Sequence, residues 1–196
     1  MRRRTALLGL FALAASGSMS AQIVGPGPVA SALDRRLIAA AWRNDLAEAG
    51  RLIAAGADVN GQDETRQSAF LIAASEGFPE LLRLTLAHGA NVHFTDSYNG
   101  TALIRAAHHG HVEVIAELLR TGIRIDHVNR LGWTAVLEVI ILGDGGARHT
   151  ETLRLLIEAK ADINIADGRG DTPLAHARRR GFSAMAQLLE AAGARE

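Results

Sequence analysis

The chain has 196 residues, and its 21 Lys and Arg balance 21 Asp and Glu, so it carries no formal net charge at neutral pH. This balance argues against a nucleic-acid-binding protein or one that binds an acidic membrane surface. The absence of cysteine excludes disulfides, thiolate nucleophiles and cysteine-ligated zinc. Hydrophobic residues make up 48% and aromatic residues only 4%, which favours closely packed, small-faced helices over an aromatic-rich β-sandwich.

The N-terminal 21 residues have the three parts of a secretory signal peptide. A basic start over 2–4 precedes an apolar run over 5–15 and a stretch of small residues over 16–21. The apolar run is about half the ~20 residues that span a bilayer. We therefore expect cleavage after Ser20 or Ala21, no membrane span afterwards, and a periplasmic or secreted protein. An uncleaved anchor or an ordinary helix is the alternative.

Residues 22–31 have the composition of a flexible linker. Two of the four prolines of the chain, Pro26 and Pro28, alternate with glycines there. Such a stretch is typical of an extended tether. We expect it to lead into a single folded domain that covers residues 32–196.

An internal repeat organises this domain. One marker, a turn residue that closes the second helix of each unit, recurs at spacings of 33, 33, 38 and 33 residues: Gly56, Gly89, Gly122, Lys160 and Gly193. A second marker, a helix-starting Ser or Thr, recurs at spacings of 33, 33 and 38 residues: Ser68, Thr101, Thr134 and Thr172. The two markers agree on the period and on one five-residue insertion, which indicates a repeat architecture. The predicted units are 32–60, 61–93, 94–126, 127–164 and 165–196. The sequence of each unit predicts two short helices. One such pair cannot bury its apolar faces alone, so neighbouring units must stack.

The repeat motifs resemble those of ankyrin repeats. Residues 172–177 read Thr-Pro-Leu-Ala-His-Ala, close to the family signature Thr-Pro-Leu-His-x-Ala, with the histidine one place late. Residues 101–113 begin with Thr-Ala-Leu and end with Gly-His-Val-Glu, while 57–60 and 161–164 read Ala-Asp-Val-Asn and Ala-Asp-Ile-Asn. The resemblance covers 32–196 and implies an all-α ankyrin-repeat solenoid. It implies five stacked helix-turn-helix repeats with short β-hairpin-like loops.

Two units depart from the family pattern. The first lacks the Thr-Pro start, as expected of a terminal repeat that caps the stack. The fourth contains the insertion, over 143–150, between its two helices. We interpret the insertion as a tolerated loop extension at the end opposite the loop tips; a second partner contact and a backbone-amide anion nest are the alternatives.

The resemblance also implies a concave binding face made of the loop tips and the first helix of each repeat. The residues that position-by-position transfer places on this face are Glu64, Gln67, Glu76, Tyr98, His108, His109, Arg130, Trp133, Arg169, Asp171 and Arg179. Because Trp, Tyr and Arg dominate interface energetics, Tyr98 and Trp133 on adjacent loop tips form the best candidate contact patch. The alternative is that Trp133 packs on the neighbouring loop.

A second polar set occupies the fourth position after the helix-starting Thr of the last three repeats: Arg105, Glu138 and His176. Equal register in stacked repeats predicts a polar ladder of adjacent side chains. A lone buried carboxylate is costly, so we expect Glu138 to pair with Arg105, with His176 as the second candidate. The competing interpretation is acid-base machinery of a hydrolase, which requires Glu138 and His176 to open into one cavity.

The histidines His108 and His109 offer at most two ligands by spacing alone, whereas zinc needs three or four that converge. We therefore predict no metal and no cofactor, and keep a pH-sensitive contact as the alternative role of these histidines. No nucleophile motif or phosphate-binding loop is present.

The sequence thus predicts a monomeric, non-enzymatic protein-interaction module of the bacterial cell envelope. It would bind a partner protein, and no nucleic acid, through its concave face. The alternatives are an accessory or protective factor for a periplasmic enzyme, and a secreted effector.

Overall fold

The computed structural model describes residues 25–195, and the predicted signal peptide lies outside them. This part of the chain contains ten α-helices in five pairs. The first helices of the pairs are α1 (Ala32–Trp42), α3 (Ala69–Glu76), α5 (Ala102–His109), α7 (Ala135–Ile141) and α9 (Pro173–Arg179). The second helices are α2 (Leu46–Ala54), α4 (Pro79–Ala87), α6 (Val112–Leu119), α8 (Ala147–Glu158) and α10 (Ser183–Ala191). The predicted all-α class is confirmed. Within residues 25–195, none of the helices has both the length and the apolar character needed to cross a membrane.

The Ser or Thr marker begins the first helix of the last four repeats. In each case the side-chain oxygen accepts a hydrogen bond from the backbone N–H three residues later, and so caps the helix. The first helix of the first repeat is also capped by a serine, with an additional hydrogen bond to an acidic side chain. Ser31 caps α1, and the carboxylate of Asp34 accepts the backbone N–H of Ser31 at 2.7 Å, which completes a capping box.

The core is a stack of helix pairs. Each first helix packs on the first helices of the adjacent repeats, and the second helices pack on one another in the same order. Alanines let the first helices approach closely, and Ala73, Ala74, Ala106 and Ala107 are fully buried. The alanine-rich composition therefore reflects the interfaces between repeats.

Four loops, which we call fingers, precede the first helices of repeats 2 to 5. Fingers 2, 3, 4 and 5 cover residues 61–67, 94–100, 127–133 and 165–171. An Asp or Asn in each finger accepts hydrogen bonds at 2.8–3.0 Å from the backbone N–H groups two and four residues later. These anchors are Asp63, Asp96, Asn129 and Asp167. Each anchor closes its finger into a tight turn of the same shape.

The segment before α1 is bound to fingers 2 and 3. Gly25 donates to the carbonyl oxygen of His93, just before finger 3, and accepts the backbone N–H of Thr95 within that finger, at 3.2 and 2.7 Å. Gln62 of finger 2 exchanges two backbone hydrogen bonds with Pro28 and Ala30 at 2.7–2.8 Å. These contacts form two isolated parallel β-bridges. The prediction of a flexible linker is therefore wrong for residues 25–31, because the fingers supply backbone partners that local composition does not reveal.

The insertion over 143–150 is packed rather than projecting. Part of it lengthens α8 to 12 residues, whereas the other second helices have eight or nine. The ring of His149 donates to the carbonyl oxygen of His108 at 3.0 Å, and Arg180 donates to the carbonyl oxygen of Gly143 at 3.0 Å. The interpretation as a mere loop extension is wrong, since the insertion contacts the third and the fifth repeats.

Candidate functional site

Two grooves lie between the last three fingers and the first helices behind them. Groove A, between repeats 3 and 4, has a volume of about 240 Å³. Its lining includes Tyr98, Arg105, His108, Leu131, Glu138 and Leu142. Groove B, between repeats 4 and 5, has a volume of about 680 Å³. Its lining includes Leu131, Trp133, Asp167, Asp171, His176 and Arg179. Because Leu131 borders both grooves, they form one continuous concave surface.

Groove A has an apolar rim. Tyr98 is 57% exposed, Leu131 is 49% exposed and Leu142 is 42% exposed. These are three of the seven large hydrophobic side chains that stand exposed among residues 25–195. A concentration of exposed apolar side chains around one groove is typical of a docking surface.

Hydrogen bonds between fingers 3 and 4 hold this rim in place. The backbone N–H of Arg130 donates to the carbonyl oxygen of Tyr98 at 2.9 Å, and its guanidinium donates to that of Ser97 at 2.7 Å. The ring of His127 donates to the carbonyl oxygen of Asn99 at 2.7 Å. The guanidinium of Arg130, predicted as a partner contact, therefore fixes the relative position of the two fingers.

Glu138 lies at the floor of groove A and is only 5% exposed. Its Oε1 accepts a hydrogen bond from Nδ2 of Asn129 at 2.8 Å, while Oε2 has no hydrogen-bond partner in the described part of the chain. Burial raises the pKa of Glu138 to about 7, against the opposing effects of the Arg105 charge and the Asn129 hydrogen bond. The negative charge of Asp96 adds to the rise.

The polar ladder has a different set of partners from the one predicted. In each of the last three repeats the ladder residue pairs with the anchor of its own finger, nine residues earlier in the chain. The pairs are Asp96 with Arg105 at 3.6 Å, Asn129 with Glu138 at 2.8 Å and Asp167 with His176 at 2.9 Å. The expected pairing of Glu138 with Arg105 and His176 is wrong, because each finger folds back over the start of its own first helix.

An ion-pair network lines groove B. Nε2 of His176 donates to Asp167, and a guanidinium nitrogen of Arg179 lies 2.8 Å from Asp171 and 2.9 Å from Nδ1 of His176. Burial raises the pKa of Asp167, but the backbone N–H groups of Arg169 and Asp171 and the His176 ring outweigh it and keep the pKa below its usual value.

The same network contains a set of groups with metal-ligand chemistry. Ligand atoms of Asp167, Asp171 and His176 lie within 4.8 Å of one another. The Arg179 guanidinium already engages two of these side chains, and its positive charge opposes a cation at the same place. The geometry therefore fits a network of internal ion pairs better than a metal centre.

His108 lines groove A, and the ring of His109 stacks on it. The rings of His108 and His109 are parallel, with centroids 4.3 Å apart. Burial, together with the nearby charges of His109 and Arg105, lowers the pKa of His108 to about 4. His108 is therefore neutral at physiological pH, which argues against a pH-sensitive contact near neutrality at this residue.

Besides Arg130, His108 and His109, the predicted contact residues divide into three groups. Tyr98 is exposed as expected, but Trp133 is partly buried in the wall of groove B. Arg169, Asp171 and Arg179 also line groove B. Three residues of the second repeat lie outside both grooves: Glu64, Gln67 and Glu76.

The residues proposed for a hydrolase do not meet. Glu138 lines groove A, whereas His176 lines groove B and is held there by Asp167. Asn129 was not predicted from the sequence as the partner of Glu138. The anchors of the fingers recur at spacings of 33, 33 and 38 residues, the same series as the helix starts, so this signal was available.

Comparison with known proteins agrees with the architecture of stacked helix pairs. Family models of ankyrin repeats match residues 37–130 and 145–190. The chain is 42% identical to the ankyrin repeat protein YahD of Escherichia coli (strain K12) over 144 residues, which covers 73% of this chain and 72% of YahD.

Solved structures show the same relationship. An ankyrin repeat domain from Acinetobacter baumannii is 47% identical and superimposes with a TM-score of 0.79, covering 81% of each chain. The ankyrin repeat protein EF0377 is 34% identical, with a TM-score of 0.75 over 79% of this chain and 78% of that one. The protein belongs to the ankyrin repeat family. Ankyrin repeats are protein-protein interaction modules, and proteins of this family are generally non-enzymatic.

Proposed function

We propose that this protein binds a partner protein through the concave face that contains grooves A and B. The observation that carries the proposal is the exposed apolar rim of Tyr98, Leu131 and Leu142 around groove A. A monomeric soluble surface rarely gathers such side chains in one place without a partner.

The rigidity of the face supports the same function. Hydrogen bonds join fingers 3 and 4, and an internal anchor closes each finger, so little conformational freedom remains to be lost on binding. A standard interface of about 800 Å² per partner would extend across both grooves and the neighbouring finger tips.

We place this activity in the bacterial cell envelope, either in the periplasm or after secretion. The support is the sequence pattern of residues 1–21, with its basic start, short apolar run and small residues before Ser20 and Ala21. The mass of the protein recovered from the periplasmic fraction tests this placement, since cleavage after Ser20 or Ala21 removes a defined segment.

Affinity capture from a periplasmic extract tests the binding function. The bait is the full chain with a C-terminal tag, compared with a Tyr98→Ala/Leu131→Ala double variant. The matched control is Trp42→Ala/Leu46→Ala, which removes an exposed aromatic and an exposed leucine from the first repeat, far from both grooves. Circular dichroism verifies that all three proteins are folded.

The expected result is a partner held by the parent and by the control, but lost by the Tyr98→Ala/Leu131→Ala variant. A partner held equally by all three proteins would contradict the proposed face. If the captured partner is an enzyme, its activity and half-life with and without this protein show whether binding modulates or protects it.

A further inference from the structure

We propose that groove A receives a lysine side chain of the partner protein, with its ammonium group on Glu138 and its stem against Tyr98, Leu131 and Leu142. This inference rests on the proposed function and gives the chemistry of the partner at the same face. Three observations support it: an oxygen of Glu138 that has no hydrogen-bond donor, the net charge of groove A, and the apolar side chains that form its walls.

The acceptor is Oε2 of Glu138. The other oxygen, Oε1, already accepts a hydrogen bond from Asn129, whereas Oε2 is buried without a hydrogen-bond partner anywhere in residues 25–195. Buried carboxylates in native proteins are hydrogen-bonded or paired with a cation. Glu138 lines the groove, so the proposed donor approaches this buried oxygen from the concave side.

The charge balance of groove A favours a cation. Arg105 is one positive charge near two carboxylates: its Nε lies 3.6 Å from Asp96, and its charge also favours the ionised form of Glu138. Its guanidinium donates to the hydroxyl of Ser75 at 3.3 Å. His108 is neutral at pH 7 because burial lowers its pKa to about 4. The ionised form of Glu138 therefore gives the groove one net negative charge, which a partner ammonium would neutralise.

The free hydrogen-bonding capacity of Glu138 distinguishes lysine from arginine. A guanidinium binds a carboxylate best through two parallel hydrogen bonds, one to each oxygen. In Glu138, Asn129 already donates to Oε1 and only Oε2 has no partner, so a guanidinium would have to share Oε1 with Asn129. The compact point charge of an ammonium fits one such acceptor.

The walls fit the aliphatic part of the same side chain. Leu131 and Leu142 present exposed apolar surface, and a lysine stem packs on such surface while its charged end stays on a polar partner. The exposed ring of Tyr98 adds an attraction for a cation. The volume of about 240 Å³ is below the range typical of small-molecule and cofactor sites and suits a single inserted side chain.

The test uses Nα-acetyl-lysine N-methylamide as a probe of the side chain alone. Carbon-13 NMR of the Glu138 carboxyl follows its titration, with the probe at tens of millimolar. The two matched probes have the same backbone but no charge: the Nε-acetyl-lysine and the norleucine derivatives. We expect the lysine probe to lower the pKa of Glu138 and the neutral probes to leave it unchanged.

The pH dependence follows from the ionisable groups around Glu138. Asp96 and Arg105 are paired with each other, His108 is neutral because burial lowers its pKa to about 4, and on the other side His176 is held by Asp167. Glu138 is then the group whose ionisation changes the charge of the groove, so the lysine probe should bind more tightly at pH 8 than at pH 5.5.

Two variants and one control complete the test. Glu138→Gln keeps the acceptor for Asn129 but removes the charge, so we expect it to weaken binding of the lysine probe by about tenfold or more. Tyr98→Ala, which leaves the floor of the groove intact, should weaken binding by a smaller factor. Glu80→Gln is the control, since Glu80 is an exposed glutamate on α4 outside both grooves, and it should bind like the parent.

Equal effects of the lysine and norleucine probes would overturn the inference, and so would unchanged binding by Glu138→Gln. Either result would leave the capture experiment intact, because a partner lost only by Tyr98→Ala/Leu131→Ala can bind groove A without a lysine. Conversely, a lysine probe that binds Glu138 while no partner is captured would support the chemistry of groove A and contradict the proposed function.

Discussion

Asn129 donates a hydrogen bond of 2.8 Å to Glu138, and it stands at the one finger anchor that is not an aspartate. The other anchors of the ladder face basic partners, since Asp96 pairs with Arg105 and Asp167 pairs with His176. The change from Asp to Asn therefore accompanies the change from a basic to an acidic side chain nine residues later. An aspartate here would place two carboxylates in contact in a buried position.

Replacement of Asn129 by Asp tests this relationship. The variant keeps the oxygen that closes finger 4, but it loses the donor to Glu138 and adds a second negative charge. We expect the free energy of unfolding at pH 8 to fall by roughly 2 kcal/mol, measured by urea denaturation. Combination with Glu138→Gln should restore most of the loss, and a single variant as stable as the parent would contradict the explanation.

The raised pKa of Glu138 predicts how stability depends on pH. The pKa rises from an ordinary value of 4.5 to about 7, so between these values the folded protein holds a proton that the unfolded chain has released. The stability of the fold therefore decreases as the pH rises through this window, and the full penalty is present above pH 7.

Glu138→Gln removes that penalty because it carries no titratable group. We expect the variant to be more stable than the parent by roughly 3 kcal/mol at pH 8, with the difference shrinking as the pH falls towards 5. Urea denaturation at several pH values measures this difference. A stability gain that is the same at pH 5 and pH 8 would show that titration of Glu138 is not its cause.

The packed insertion predicts a specific glycine requirement. A Cβ atom on Gly143 would clash with the carbonyl oxygen of Val139, which is backbone and cannot move aside easily. We expect Gly143→Ala to lower the free energy of unfolding by about 2 kcal/mol. Gly122→Ala is the control because a Cβ there meets no atom within 4 Å, and equal stabilities of the two variants would contradict the packing argument.

The side chain of Gln62 holds the segment before α1 against fingers 2 and 3. This buried side chain accepts the backbone N–H of Gly27 at 2.6 Å and donates to the carbonyl oxygens of Arg66 and Thr95 at 3.0 Å. We expect Gln62→Ala to cost about 2 kcal/mol, because two acceptors lose their partner. Hydrogen exchange should show faster exchange of the Gly27 amide, whereas the exposed control Gln187→Ala should leave it unchanged.

The sequence predicts those features that depend on short-range spacing. The Ser and Thr positions predict where the first helices begin, because a capping side chain bonds the backbone N–H only three residues later. The period of the glycine turns gives the number of repeats, and alanine in the first helices reflects their close contact. These contacts repeat in every unit, so each unit provides independent support for the same interpretation.

The features that the sequence did not predict depend on contacts across the chain. The composition of residues 25–31 is that of a linker, yet its backbone partners lie in fingers 2 and 3. The insertion is held by His108 and Arg180, which lie in other repeats. Glu138 was recognised as a buried carboxylate in need of a partner, but its choice of Asn129 depends on the direction in which the finger folds.

The pairing of each ladder residue with its own finger makes the floor of a groove a property of one repeat. If both residues of a pair are replaced together, for example Asn129 and Glu138, the charge at the floor of the groove changes and no pair in the next repeat is broken. A duplicated or exchanged repeat would likewise carry its matched pair with it. The solenoid can therefore diversify what it recognises one unit at a time while the stack of alanine-lined helices stays the same.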